Sequence, residues 1–467
     1  MNTLLLAIRN LRRNRRRSLA TLLALAIGAA AVLLFGGYSA DIRYTLLTNY
    51  VRGGGHLQIQ HRDFFLFGKG NPTAYGMADY QTIIRALRDD NLLKPMVTVV
   101  TPTLQFFGIA GNYDAGVSRT VMGEGFVADD MSLMRDWDEF GTGLDFMPYA
   151  LKGAPADSAI VGIGVARVLL LCQALAVPNC TNPEDVDVKP KGDPLPSDIA
   201  ALAGIEQAKA QKSATSSGGV RIELLANYAR GSPNVASLKV LAAEDQGFKD
   251  LDDVAVNLQF VQAQRLIYGR SAPRATSIIV QLKHTAQLPF AMARVRELLA
   301  RVAPGQPLAV LDFEQLNPFY TQTQQLFDTI FAFIFVLIGC IVLFTVSNTM
   351  NAAVVERTVE IGTLRAVGLR QAGIRRMFVT EGFLLGCAGA LVGVVSALLI
   401  AAAINAAHLT WLPPGSSERL PLNVRVWGEH DMMIGTTLGL IAIAAASAWW
   451  PAWRAAKLNV VDALRHA

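Results

Sequence analysis

Long apolar blocks and one extended stretch of mixed composition alternate along the chain. A helix needs about 20 consecutive, mostly apolar residues to cross a bilayer. Four blocks meet this requirement and predict spans at 18–40, 326–347, 378–403 and 432–450. They leave an arm at 1–17, a large domain at 41–320, a connecting segment at 348–377, a short loop at 404–431 and a tail at 451–467.

The large domain mixes two periodicities. HLQIQ (56–60) and VTVVTPTLQFFGIAG (97–111) have strand composition, YQTIIRALRD (80–89) has helical spacing, and 276–313 predicts a β-α-β unit. The five prolines within 172–217 break this pattern and indicate an insertion. The predicted fold class is an α-helical membrane protein with four transmembrane helices and a large α+β domain between the first and second.

Composition and charge agree with this interpretation. Hydrophobic residues make up 52% of the 467 residues and charged residues only 17%, whereas soluble domains contain about 25% charged residues. The net charge of +5 could indicate nucleic-acid binding, but the arginine cluster of the arm directly precedes an apolar run and no groove-entering motif accompanies it. We therefore expect no nucleic-acid partner.

The basic residues also predict the orientation, because short cytoplasmic segments are enriched in arginine and lysine. The arm contains six arginines and no acid, and the loop at 404–431 sets two arginines against three acids. Basic residues of the connecting segment and tail are Arg357, Arg365, Arg370, Arg375, Arg376, Arg454, Lys457 and Arg465. Both termini and the connecting segment should be cytoplasmic, and the large domain and the short loop should lie outside.

Few residues outside the spans suggest chemistry. Four cysteines are too few for a disulfide framework; Cys340 and Cys387 fall in apolar blocks, whereas a disulfide between Cys172 and Cys180 is a hypothesis that requires an oxidising compartment. VGIGVA (161–166) lacks the third glycine of a dinucleotide motif. We expect no catalytic residues and no metal site.

The connecting segment is the most informative part of the chain. VVERTVEIGTLRAVG (354–368) predicts one amphipathic helix that ends at Gly368 as the C′ residue. Its predicted apolar stripe is Val355, Val359, Ile361, Leu364 and Val367, and its charged face is Glu356, Arg357, Glu360 and Arg365. Such a helix could dock into a groove on a soluble partner or rest on lipid headgroups, and its residues leave both open.

Several segments together resemble a known family. ERTVEIGTLRAVG, the following IRRMFVTEG and the tail PAWRAAKLNVVDALRHA resemble the FtsX/MacB/LolCDE class, the type VII or mechanotransmission ABC transporter permeases. GHLQIQ and IVGIGVARVL resemble the periplasmic domain of that family in outline, and 172–217 departs from it. The resemblance implies that the first segment is the coupling helix that meets an ATPase, through Glu356, Arg357, Glu360, Ile361, Gly362, Leu364, Arg365 and Gly368.

The resemblance also implies partners. No G-x-x-x-x-G-K-[S/T] motif occurs in the chain, so we expect no cofactor here, with ATP and Mg on a separate ATPase subunit. A second permease chain, identical or homologous, a periplasmic adaptor or chaperone, and membrane lipids are further expected partners. The expected location is the bacterial inner membrane, with the large domain in the periplasm.

Three functions remain open at this stage. The family implies an ATP-coupled permease for lipophilic cargo such as lipoproteins, lipids or drugs. An FtsX-like member would transport nothing and would instead activate a cell-wall hydrolase outside. A membrane-anchored sensor or enzyme without any ATPase is the third class.

The third span has two further features. Its glycines allow close packing on a neighbouring helix; they are Gly382, Gly386, Gly389 and Gly393. Glu381 is an acid near the cytoplasmic end of this span, and we expect it to pair with Arg375 or Arg376.

Overall fold

A computed structural model describes residues 7, 9–10, 13, 15–144, 148–178, 180, 219–228, 231–247, 249–412 and 419–457. The chain divides into two compact units. The helical unit comprises Met1–Thr45, Phe319–Trp411 and Pro421–Ala467, and the sheet domain comprises Leu46–Pro318 and Leu412–Leu420. Most of the predicted insertion lies outside the described residues.

The helices of the described chain are α1 (Arg15–Gly54), α2 (Phe64–Phe67), α3 (Tyr80–Asp89), α4 (Ala128–Arg135), α5 (Ile163–Val168), α6 (Lys249–Asp252), α7 (Phe260–Tyr268), α8 (Leu288–Val302), α9 (Phe313–Leu316), α10 (Pro318–Glu356), α11 (Thr358–Ala366), α12 (Gln371–Ala406) and α13 (His430–Ala456). Short 3₁₀ turns occur at Gly68–Gly70, Pro72–Tyr75 and Thr285–Gln287.

The strands are β1 (Leu57–His61), β2 (Val97–Asn112), β3 (Val117–Phe126), β4 (Ser158–Gly162), β5 (Arg221–Asn227), β6 (Pro233–Glu244), β7 (Ala255–Gln259), β8 (Ser277–Leu282), β9 (Leu308–Asp312), β10 (Thr410–Trp411) and β11 (Leu420–Pro421). The last two form a separate two-stranded sheet.

Among the described residues, four helices are long and apolar enough to cross a membrane, namely α1, α10, α12 and α13. They contain 40, 39, 36 and 27 residues, more than the spans predicted from the apolar blocks, because polar turns extend the helices beyond the apolar runs. In hydrocarbon every backbone polar group needs an internal partner, which a continuous helix provides. The fold class predicted from the sequence is confirmed.

The core of the helical unit is built from small and branched side chains. Leu25 and Ala29 of α1 pack with Val342 and Val346 of α10 and with residues of the other two long helices. Those residues are Phe378 and Leu385 of α12 and Leu440, Ala444, Ala448 and Ala452 of α13. Alanines along α13 let the helix backbones approach closely.

A nine-stranded sheet forms the sheet domain, in the order β3-β7-β4-β6-β5-β2-β8-β1-β9, and β3 pairs with β2 as well. Strand β2 makes this possible because it is 16 residues long. Its first part, from Val97 to Thr103, pairs with β8, and the part from Thr103 to Asn112 pairs with β3. Residues 108–111 of β2 also pair with β5. The ring therefore consists of six strands, namely β2, β3, β7, β4, β6 and β5, and strands β8, β1 and β9 extend from it.

The core of the sheet domain lies between this sheet and its helices. Ile83, Ile84 and Leu87 of α3 and Val295 and Leu298 of α8 are buried in it. The predicted β-α-β unit at 276–313 is confirmed as β8, α8 and β9, and β1 lies between the two strands, antiparallel to both. All six residues of β8 are buried, which fits a strand in the interior of a sheet covered on both faces.

The sheet domain also contains the cysteine pair. Cys172 and Cys180 form a disulfide with their Cα atoms 5.5 Å apart, a separation that ordinary disulfide geometry accommodates. This pairing agrees with the disulfide hypothesised from the sequence.

Candidate coupling site

The connecting segment contains a break that the sequence analysis did not predict. Helix α10 ends at Glu356, Arg357 is not helical, and α11 begins at Thr358. The Oγ1 of Thr358 donates to the carbonyls of Val354 and Val355 at 3.1 and 2.9 Å, which satisfies acceptors at the end of α10. The prediction of one helix over VVERTVEIGTLRAVG is therefore wrong at its start, because its first three residues form the last turn of α10.

The end of α11 matches the prediction for Gly368. This residue has φ +99°, which is the left-handed conformation that glycine adopts without strain. The N–H of Gly368 donates to Arg365 O at 3.0 Å, and the N–H of Leu369 donates to Leu364 O at 3.0 Å. These two bonds form a Schellman motif, so Gly368 is confirmed as the C′ residue and α11 ends sharply.

Arg357 occupies the break, and its side chain is buried. Its Nη1 donates to Glu381 Oε1 at 3.0 Å, with side-chain exposures of 5% and 2%. Two predictions are corrected here. Arg357 does not belong to an exposed charged face, and Glu381 pairs with Arg357 rather than with Arg375 or Arg376, because the break turns Arg357 inward onto the face of α12 that carries Glu381.

Asn10 completes this buried cluster from the other end of the sequence. Its Nδ2 donates to Glu381 Oε1 at 2.6 Å, and its backbone carbonyl accepts from Arg357 Nη2 at 3.3 Å. We call Asn10, Arg357 and Glu381 the buried triad. It ties the N-terminal arm, the break before α11 and the start of α12 together, and no sequence signal pointed to Asn10.

The arm also forms ion pairs with the connecting segment. Arg13 pairs with Glu360 at 2.5 Å and Arg17 pairs with Glu356 at 2.8 Å. All four side chains are 39–55% exposed, so each pair contributes about 1 kcal/mol or less to stability. The orientation signal of the arm arginines gives no hint of these contacts, whereas their charge, opposite to that of Glu356 and Glu360, is a sequence signal for them.

The predicted apolar stripe of α11 is not one buried face. Ile361 and Gly362 are buried, and Leu364 packs at the edge of the helical core. In contrast, Val355, Val359 and Val367 are 74%, 38% and 84% exposed. Together with the exposed Glu356 and Glu360 and the half-buried Arg365, these three valines form the surface that the segment presents outward.

The four glycines of α12 face two different neighbours. Gly382 and Gly386 face Ala444 of α13. A Cβ atom added at Gly382 would lie 3.1 Å from the carbonyl oxygen of Ala444, and one added at Gly386 would lie 3.0 Å from its Cβ. At Gly389 an added Cβ would lie 2.5 Å from the Cβ of Leu25 in α1, and at Gly393 it would lie 2.9 Å from the carbonyl oxygen of Ala26. Helix α12 is thus held closely between α13 and α1, whereas the sequence indicated only one neighbour.

A second set of polar contacts lies in the C-terminal half of α1. Arg425 Nε donates to Asp41 Oδ1 at 2.8 Å, and its backbone N–H donates to Gly37 O at 3.0 Å. Tyr44 Oη donates to Glu429 Oε1 at 2.7 Å. These contacts attach the loop between α12 and α13 to α1, so both ends of the helical unit are cross-linked by charged groups.

Comparison with known proteins identifies the family. The model of the FtsX-like permease C-terminal region matches residues 329–460, which include α11 and the buried residues Arg357 and Glu381. The model of the MacB-like periplasmic core domain matches residues 18–177. The chain belongs to the FtsX/MacB family of permeases.

Curated relatives of this permease agree. An uncharacterized ABC transporter permease of Methanocaldococcus jannaschii is 29% identical over 46% of this chain and 51% of its own length. The macrolide export ATP-binding/permease protein MacB of Neisseria gonorrhoeae is 27% identical over 48% of this chain and 33% of its own length. The lipoprotein-releasing system transmembrane protein LolC of Xylella fastidiosa is 25% identical over 50% of this chain and 56% of its own length. The matches thus span between a third and just over half of these relatives.

Proposed function

We propose that this permease is the moving membrane subunit of an ATP-driven machine. A separate ATPase, which carries ATP and Mg, docks on the outward surface of the connecting segment around α11. Its closure shifts the helical unit and thereby changes the shape of the sheet domain on the other side of the bacterial inner membrane. Both termini and α11 are cytoplasmic in this proposal, and a second permease chain, identical or homologous, completes the assembly.

The buried triad is the observation that carries the proposal. A short helix on flexible tethers would absorb an applied force by bending at its ends. Here Arg357 is bonded to both Glu381 and Asn10, and the other end of α11 closes in a Schellman motif. A force on α11 therefore passes directly to α10 and α12, as coupling to an ATPase requires.

The composition of the spans supports transmission of motion rather than a path for solutes through the membrane. Residues 329–355 of α10 contain no charged residue, and neither do residues 382–406 of α12. A path for ions or polar solutes is usually marked by ionisable groups within the spans, and Glu381 is already engaged by Arg357. We therefore propose lipophilic cargo such as a lipoprotein, lipid or drug, handled by the sheet domain with a periplasmic adaptor or chaperone.

Charge reversal at Glu360 tests the docking surface. The full chain would be co-expressed with candidate ATPases from neighbouring genes, and co-purification and ATP turnover would be measured. We expect an ATPase to co-purify with the native chain and its stimulated turnover to be lost in Glu360→Arg, without loss of membrane insertion. Arg365→Glu should act in the same direction.

Asp328→Arg is the matched control, because Asp328 is another exposed acid, 68% exposed, that pairs with an arginine of α1. It should leave turnover unchanged. The double variant Arg13→Glu with Glu360→Arg reverses the ion pair and separates two explanations. If the double variant restores turnover, Glu360 acts through Arg13 and not through the ATPase, and the docking assignment is wrong. The absence of any co-purifying ATPase would contradict the proposal as a whole.

A further inference from the structure

The C-terminal end of α13 carries an aromatic and basic surface that the proposed coupling does not use. Trp449, Trp450 and Trp453 are 59%, 54% and 41% exposed. Arg454 and Lys457 follow in the same turns and are also exposed. On the opposite side of the helix, Pro451, Ala452, Ala455 and Ala456 are buried. The aromatic and basic side chains therefore all point away from the helical core.

Each cation rests on one indole ring. The guanidinium carbon of Arg454 lies 4.9 Å from the ring centroid of Trp450, and Lys457 Nζ lies 3.8 Å from that of Trp453. Both pairs have i, i+4 spacing, and helical side chains lean toward the N-terminus of the helix. The two charges are thus directed back toward the apolar part of α13 instead of extending beyond its end, and both follow closely on the span predicted at 432–450.

An exposed apolar stripe continues from this surface along α13. Leu438, Ala442, Ala446 and Trp449 are all exposed and follow helical spacing. The two alanines leave a shallow path between the larger side chains of Leu438 and Trp449. An acyl chain fits such a path, because its contacts are apolar and need no hydrogen-bond partner.

We propose that Trp450, Trp453, Arg454 and Lys457 form a binding site for the headgroup of an anionic phospholipid, with an acyl chain lying along the stripe. Among the described residues neither Arg454 nor Lys457 has an acidic partner within ion-pair distance, so a lipid phosphate at this surface meets two charges that no described acid pairs with. The indole rings already hold the protein's own cations. A choline group would therefore meet like charge, and the site selects net negative lipids.

Quenching of tryptophan by brominated lipids tests the proposal on the full chain. The purified chain would be reconstituted in vesicles that mix phosphatidylcholine and phosphatidylglycerol, with the bromine on one lipid or the other. Quenching is local, so it reports the lipid in contact with the exposed tryptophans. We expect phosphatidylglycerol to quench preferentially, and Arg454→Gln with Lys457→Gln to lower that preference by about twenty-five-fold, since each charge at a membrane surface contributes about fivefold.

Arg370→Gln with Arg376→Gln is the matched control, because both residues are exposed basic residues of the helical unit without a tryptophan contact among the described residues. It should leave the preference unchanged. Equal quenching by both lipids in the native chain would reduce the surface to a general interfacial belt and overturn the proposal. An equal loss of the phosphatidylglycerol preference in the control variant would also overturn the proposal. Loss of that preference on adding excess inorganic phosphate would overturn it as well, because it would assign the site to free phosphate.

Discussion

The buried pair of Arg357 and Glu381 makes a strong prediction about stability and coupling. Removal of one partner leaves the other charge away from water without a counter-charge, which costs about 3–5 kcal/mol. Replacement of both by apolar residues of similar size is often nearly neutral. We therefore expect Arg357→Met and Glu381→Leu each to destabilise the helical unit by about 3–5 kcal/mol.

The double variant should be much less destabilised than either single variant. Its main remaining losses are the two hydrogen bonds of the pair to Asn10, from Asn10 Nδ2 to Glu381 Oε1 at 2.6 Å and from Arg357 Nη2 to Asn10 O at 3.3 Å, which contribute about 1 kcal/mol each. The single effects sum to about 6 kcal/mol or more. A double-mutant cycle of Arg357→Met and Glu381→Leu should therefore give a coupling energy of at least about 4 kcal/mol, because each single variant carries the penalty of an unpaired buried charge.

Unfolding in mixed micelles with a rising fraction of ionic detergent is a suitable assay. Tryptophan emission follows the helical unit, since all tryptophans except Trp137 lie in it. The exposed pair of Arg43 and Asp328 is the control cycle, with exposures of 43% and 68%, and its coupling should stay below about 1 kcal/mol. Additivity within about 0.5 kcal/mol at Arg357 and Glu381 would refute the reasoning.

The same double variant separates stability from coupling. If the triad transmits force, the variant should fold and still bind the ATPase but lose stimulated turnover. Stimulation at the native level in a stable double variant would show that the triad serves stability alone.

Three further predictions concern other parts of the chain. Burial lowers the pKa of His56 from 6.5 to about 3, so between these two pH values only the unfolded state takes up a proton. The sheet domain should therefore lose about 2 kcal/mol of its free energy of unfolding between pH 7 and 5, measured by denaturant unfolding, and His56→Asn should flatten that slope. Gly386→Leu should separate α12 from α13 and lower the thermal midpoint by several degrees, whereas Gly435→Leu, which has open space around it, should not; equal shifts would contradict the packing argument. Reduction of the disulfide between Cys172 and Cys180 should release two thiols that react with a maleimide and alter gel mobility, and an unchanged thiol count on reduction would refute the bond.

Local patterns in the sequence predicted much of this protein. Hydrophobic blocks of sufficient length predicted four membrane helices, because backbone satisfaction in hydrocarbon depends on composition and length alone. The stop at Gly368 was predictable for a similar reason, since a left-handed C′ position is a local preference of glycine. Strands such as β2 and helices such as α3 were equally visible from their periodicity.

Only the tertiary structure decided the partners. The position of Glu381 near the cytoplasmic end of the third span favours Arg375 or Arg376 as its partner, yet it binds Arg357, which is 24 residues away, and Asn10, which is 371 residues away. The break at Arg357 rotates that side chain inward, and a periodicity count cannot detect one non-helical residue between two helical runs. The closure of six strands into a ring likewise depends on β2 changing partners along its length, which no single strand pattern records. Pairing across long sequence separations follows from how helices and strands pack, so it became visible only once they were in place.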